Sequence, residues 1–229
     1  MLSKFLQIVA LSTYLEIITK MKLFTYPLGE LSTNCYILVD ETTRDAIAID
    51  VGGNVGCLFM EEMKNGFYIK AVLLTHGHFD HIAGAQILAN RGANVYIGEE
   101  DVKAVSDGNI NLSSVFGAEC MPFAVEKPLK DGDTLKFGEI EVEVISTPGH
   151  TVGGVTYKVG NMLFCGDVLF DGSFGRVDFP GGDVIELCRS AKKLLEYDGC
   201  ELYPGHGGKT TVERERKSNP INGYIKHYL

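Results

Sequence analysis

The sequence is short of positive charge. Against 30 Asp and Glu stand 21 Lys and Arg, a formal net charge of -9 at pH 7. Binding to nucleic acid depends on neutralising phosphates with Lys and Arg, so no nucleic-acid partner is expected. Long apolar runs are missing too: no stretch reaches the roughly 18 uncharged apolar residues that a membrane helix needs, and no membrane span is expected. The six cysteines, at 35, 57, 120, 165, 188 and 200, form no C-x-x-C pair and no dense framework. They read as reduced thiols of a cytoplasmic protein. No period of roughly 20 to 50 residues recurs and no segment is of low complexity, which argues against a repeat architecture.

What is present is an ordinary folding composition, 45% hydrophobic and 22% charged over 229 residues, enough for one sizeable core and short for two. Residues 1–20 carry Lys4 and an apolar stretch interrupted by Gln7 and Glu16, with no small-x-small site before Met21. They are set apart as an N-terminal extension outside the core, and 21–229 as one domain. From Lys22 the pattern is strand-like at 22–27, 33–39 and 44–51, then helical over 54–65, then an apolar strand at 69–75. A helix over about 81–91 and a strand at 94–98 complete the first half. The second half predicts a hairpin turning at Phe137-Gly138-Glu139, a second hairpin from GGVTYKV and NMLFCGD, an aperiodic loop at 167–182, a helix over about 183–196 and the strand ELYP. Two β-rich halves, each flanked by helices, predict an α/β fold built as a four-layer αββα sandwich.

Histidine is scarce, with six in the chain, yet three lie in the run His76-Gly77-His78-Phe79-Asp80-His81. This run follows directly on the strand at 69–75, at a strand's carboxyl end, where sheets of α/β proteins place ligand sites. Alternation puts His76 and His78 on one side, while Asp80 and His81 open a helix and point elsewhere, so two adjacent ions could be served. Asp80 could instead be a plain helix cap. His150, Asp167 and His206 arrive in the same manner, each after a strand and beside glycine, which leaves only His227 outside the set. Taken singly, each of these is an ordinary turn.

The order H-x-H-x-D-H, a later His, a Gly-Asp and a final His resembles the metallo-β-lactamase superfamily. The stretch GDVLFDGSFGRVDFPGGD at 166–183 is similar to the glyoxalase II-related hydrolases, and the likeness runs over about residues 21–220. The resemblance implies that His76, His78 and His150 hold one metal, that Asp80, His81 and His206 hold a second, and that Asp167 bridges them. It implies a hydroxide, generated near neutral pH, that attacks a carbonyl, with Asp80 and Asp167 at the centre of the chemistry. Asp50 takes the position of the family's carboxylate beneath the ligands, where it would receive an imidazole N–H. A strand-end turn is its plainer role. Two divalent ions are expected, zinc by default, with iron or manganese fitting the same donors. The expected substrate is a small acyl thioester such as S-lactoylglutathione.

The chain departs from the full-length glyoxalase II pattern in two ways. Only 23 residues follow His206, so no added helical domain is expected to supply basic residues for glutathione. In the loop at 172–178 the chain has Arg176 but Asp178 where an aromatic residue is usual. Arg176 could grip a substrate carboxylate bidentately or could pair with Asp178, and the sequence leaves both open. GHGGKT at 205–210 is not a phosphate loop, because Tyr203 stands where its first glycine is required. Cys165 reads as an inert buried thiol. Two other functions fit the same motifs: a persulfide dioxygenase with one iron on two His and an Asp, and a binding module that keeps the fold without catalysis.

Overall fold

The computed structural model describes residues 20–229. Apart from Lys20, the proposed N-terminal extension lies outside the described residues. Strands β1 (Met21–Leu28), β2 (Thr33–Asp40), β3 (Asp45–Ile49), β4 (Tyr68–Leu74), β5 (Asn94–Gly98) and β6 (Lys127–Leu129) form one sheet in that order. The second sheet runs β14 (Thr210–Thr211), β13 (Glu201–Pro204), β10 (Met162–Gly166), β9 (Val155–Val159), β8 (Ile140–Ser146), β7 (Thr134–Phe137).

Alternation along β2 shows why two sheets stack. Every residue of TNCYILVD is buried, but Cys35, Ile37 and Val39 belong to one core and Tyr36 and Leu38 to another. The second of these cores lies between the sheets, where Leu38, Ile47, Ile49 and Leu73 meet Val142, Val144, Tyr157 and Phe164. The outer face of the first sheet is covered by helices α1 (Gly56–Asn65), α2 (Phe79–Ile82) and α3 (Ala85–Asn90). The outer face of the second is covered by α5 (Val184–Leu194), α6 (Val212–Ser218) and α7 (Ile221–Tyr228), with α4 (Ser113–Phe116) on a connecting loop. Three apolar layers thus separate four structural ones, the expected αββα arrangement.

Strand direction then gathers the site. β3 and β4 are parallel, so Asp50 and Thr75-His76 emerge at one edge. β8 and β10 both run antiparallel to β9, and β13 is parallel to β10. The segments leading to His150, Asp167 and His206 therefore leave from one edge as well.

The structure differs from the sequence expectation in several places. The helix expected over 81–91 is broken at Gly84, where an added Cβ would lie 2.6 Å from Val51 and 2.8 Å from Val55. The break lets Val51 bond to both flanks, its N–H donating to His81 O and its carbonyl accepting from Gly84 N. The 3-10 helix Glu99–Val105 and the helices α6 and α7 were not anticipated. The aperiodic loop holds a short hairpin, β11 (Leu169–Phe170) with β12 (Ser173–Phe174). Among the described residues no helix is long and apolar enough to cross a membrane, and all six cysteines are free.

Candidate metal centre

His76, His78, Asp80, His81, His150, Asp167 and His206 converge on one edge of the sandwich. Their side chains form three overlapping groups, His76/His78/His150, His76/His81/Asp167 and Asp80/His81/His206, and within each the potential ligand atoms lie within 4.8 Å of one another. His78 Nδ1 is 2.9 Å from His150 Nε2. His206 Nε2 is 3.2 Å from Asp80 Oδ2, and His81 Nε2 is 3.5 Å from the same oxygen. Asp167 sits between the two sets. Its Oδ2 is 3.6 Å from His150 Nε2 and 3.6 Å from His206 Nε2, while its Oδ1 is 3.4 Å from His81 Nε2.

These donors suit a divalent ion. Two ligands about 2.0–2.2 Å from a tetrahedral ion stand about 3.3–3.6 Å apart, which matches most of these spacings. The buried atoms His76 Nε2, His81 Nε2 and Asp167 Oδ1 have no hydrogen-bond partner in the protein, a costly condition that a bound cation removes. His78 Nε2 is also buried and unpartnered.

The backing hydrogen bonds set which ring nitrogen faces inward. Asp50 Oδ2 lies 2.8 Å from His81 Nδ1 and accepts from Thr75 Oγ1 at 2.8 Å, and Thr75 Oγ1 is 3.1 Å from His76 Nδ1. With Thr75 donating to Asp50, His76 Nδ1–H donates to Thr75, and both His76 and His81 point Nε2 to the centre. Asp50 holds this place in a left-handed backbone (φ 55°), fixed also by Thr75 N donating to Oδ1. His150 Nδ1 is 2.7 Å from Arg176 O, which likewise leaves Nε2 facing in. Asp80 is not a helix cap. His78 takes that position, and Asp80 Oδ2 instead accepts from Thr33 Oγ1 at 3.0 Å.

Electrostatics follows from packing imidazoles and carboxylates together in a dry place. Burial and the neighbouring imidazoles, His81 foremost, hold His76 well below the ordinary histidine range, and burial with His150 pushes His78 down to about 3. Burial opposes charge on His81 as well, but Asp80, Asp50 and Asp167 outweigh it and raise its pKa. For Asp80 and Asp167 burial is again outweighed, chiefly by His81, and both carboxyls are held below the usual range.

Asp101, on the 3-10 helix, had no sequence signal. It is 2% exposed. Its Oδ2 accepts from Gly77 N at 2.9 Å and Thr151 Oγ1 at 2.7 Å, and its Oδ1 from Gly153 N at 2.8 Å. One carboxylate thus ties the loop of His76 and His78 to the loop of His150. Arg176 lines the cavity beside the donors, with its guanidinium bonded to both oxygens of Asp178. His227 lies exposed on α7, apart from the cluster. Cys165 is buried with its thiol pushed up to about 12 by burial, as an inert core residue would be.

Residues 28–206 match the model of the metallo-beta-lactamase superfamily. The chain is 33% identical over 202 residues to the hydroxyacylglutathione hydrolase GloC of Haemophilus influenzae, a match that covers 85% of this chain and 95% of that one. Among solved structures it is similar to the BLEG-1 B3 metallo-beta-lactamase, with a TM-score of 0.82 and 31% identity over 89% of this chain and 99% of the other. It is also similar to TTHA1623 in a di-iron-bound form, with a TM-score of 0.78 and 34% identity over 86% of this chain and 99% of the other.

Proposed function

The chain belongs to the metallo-beta-lactamase superfamily and its metallo-hydrolases, and on that premise we propose that it is a dinuclear hydrolase of small acyl thioesters. The observation that carries two ions is the position of Asp167, with one oxygen 3.6 Å from a histidine of each outer donor set. His76, His78 and His150 would hold one ion, Asp80, His81 and His206 the other, and Asp167 would reach both. Divalent ions bound there supply Lewis acidity toward a carbonyl and a source of hydroxide near neutral pH. Zinc is the default for His and carboxylate donors, and iron suits them equally, in keeping with the di-iron neighbour.

The protein's own contribution is orientation and proton placement. Asp50, directly and through Thr75, keeps protons on the Nδ1 atoms of His81 and His76, so that with an ion bound it is their Nε2 atoms that would donate electrons. Arg176 O does the same for His150. Low proton affinity at His76 and His78 leaves both rings neutral and ready at neutral pH. Thr33 Oγ1 steadies Asp80 by donating to its Oδ2.

A thioester is favoured because its thiolate leaves readily, and the GloC likeness, which extends over nearly all of that relative, makes S-lactoylglutathione the first compound to test. Metal-analysed protein is expected to carry two ions per chain and to release thiol from S-lactoylglutathione or another small thioester. The His76/His81/Asp167 group is a two-His, one-carboxylate set of the kind that holds mononuclear iron in oxygenases, which favours the dioxygenase as second choice. Full activity with one tightly held iron, and oxygen uptake with glutathione persulfide, would replace the hydrolase by that enzyme. The expected partner is a small molecule rather than a nucleic acid.

A further inference from the structure

Thioester hydrolysis splits R–CO–SR′ and water into R–COOH and R′–SH, and leaves the nature of R unspecified. Next to the donors lies a cavity of about 420 Å3, within the span of roughly 300–1,000 Å3 typical of small-molecule sites. His78, His150, Asp167 and His206 face it, so a carbonyl presented to the donors carries its substituents into this space.

The lining is aromatic. Phe79, Phe116, Phe170, Phe174 and Phe179 all contribute. Phe79 and Phe116 stand 5.5 Å apart, Phe116 and Phe179 are edge-to-face at 6.1 Å, and Phe179 meets His78 edge-on at 5.9 Å. They form a continuous wall from the rim down to the donors. Phe116 is 54% exposed at that rim, a large apolar ring left open at the cavity mouth. Among the described residues the one Lys or Arg of the lining is Arg176, and it is already committed: its Nε and Nη2 each donate to Asp178 at 2.6 Å and its guanidinium lies 3.9 Å above the Phe179 ring. Among the described residues the cavity wall away from the donors therefore offers ring faces and no free Lys or Arg. Such a surface discriminates against carboxylated groups, including the two carboxylates of glutathione, and in favour of an uncharged apolar one.

We propose that the acyl group of the substrate is bulky, uncharged and apolar, aromatic or branched, and is seated against the Phe79–Phe116–Phe179 wall while the thiol portion extends toward solvent. This rests on the thioesterase function proposed above. The test holds the thiol constant: acetyl, lactoyl, isovaleryl and phenylacetyl thioesters of N-acetylcysteamine are compared on metal-loaded protein. kcat/KM should rise about tenfold or more from acetyl to phenylacetyl, since one methylene in an apolar pocket already carries about that factor. Phe116→Ala, at a site more than half exposed, should cut the phenylacetyl-to-acetyl ratio about tenfold, chiefly through KM. Calorimetric binding of phenylacetate, lactate and acetate to the same protein gives a readout independent of turnover, with phenylacetate the tightest. Equal kcat/KM across the series, with phenylacetate binding no tighter than acetate, overturns the proposal and leaves thioester hydrolysis standing. If no thioester is cleaved but phenylacetate is still preferred and Phe116→Ala abolishes the preference, the thioesterase function fails while the apolar ligand class is supported.

Discussion

Asp101 accepts three hydrogen bonds from two loops that carry donor histidines, and an amide in its place cannot repeat the pattern. Whichever way an asparagine turns, its NH2 group faces a backbone N–H, of Gly77 or of Gly153. Asp101→Asn should therefore cost about 1–3 kcal/mol in denaturant unfolding, as a buried donor left unpaired does. It should also lower the metal retained after dialysis. Stability and metal content equal to the wild type would show that the clamp is not needed. Nothing near Asp101 in the sequence marked it out, since it is one acid among 30, whereas the histidines stood out by scarcity and spacing. Gly205 was visible as a glycine, but not for the right reason. A Cβ there would lie 2.2 Å from Asp167 Oδ1 and 2.5 Å from His81, so the site needs its missing side chain more than its freedom to turn. Gly166, at φ 50°, makes the left-handed turn that was expected, and a Cβ there would also lie 2.4 Å from Thr75 Oγ1.

At the scale of elements, Asp40 closes β2 at the end opposite the donors and pins the two sheets together. It accepts from Thr42 N at 2.7 Å, from the Thr43 hydroxyl at 3.0 Å and, across the sandwich, from Glu139 N at 2.8 Å in the β7–β8 turn. Burial works against its charge, but these donors prevail and hold the carboxyl below its ordinary range. A carboxylate with a folded pKa below its unfolded value near 3.9 adds stability above that value and loses it as the pH falls through the folded pKa. The stability advantage of wild type over Asp40→Asn should thus be present at pH 7 and shrink below about pH 4, as thermal unfolding at a series of pH values would reveal. An advantage that grew on acidification would rule the tie out. The strands were readable because their apolar alternation is what buries them. α6 was not, because VERERKS has little such pattern and is anchored by a polar residue: Glu215 accepts from Thr210 Oγ1, Gly172 N and Asn219 Nδ2.

Across the whole molecule, the first half contributes His76, His78, Asp80 and His81 and the second half His150, Asp167 and His206, so a bound ion staples the halves. Its removal should be felt globally. Free metal at 100 times its dissociation constant adds about 2.7 kcal/mol to stability. For a chain of this size that is about 5–11 °C in Tm, at about 2–4 °C per kcal/mol. Calorimetry before and after chelation, with restoration by added zinc or iron, checks this, and an unchanged Tm would mean that the donors hold no structural ion. The four-layer arrangement was legible from the order of strands and helices, whereas the convergence of His150 and His206 on His76 was expected only through the family resemblance. It depends on the direction in which β8, β10 and β13 run, which local sequence does not record.

The unpartnered atoms His76 Nε2, His81 Nε2 and Asp167 Oδ1 also bear on how such a protein would be engineered. A redesign that scored only the ion-free chain would treat them as faults and replace the donor set with packed apolar side chains. The product would lose the ion-holding donors. Three of the buried polar atoms without a partner are thus also ones that a bound cation would satisfy.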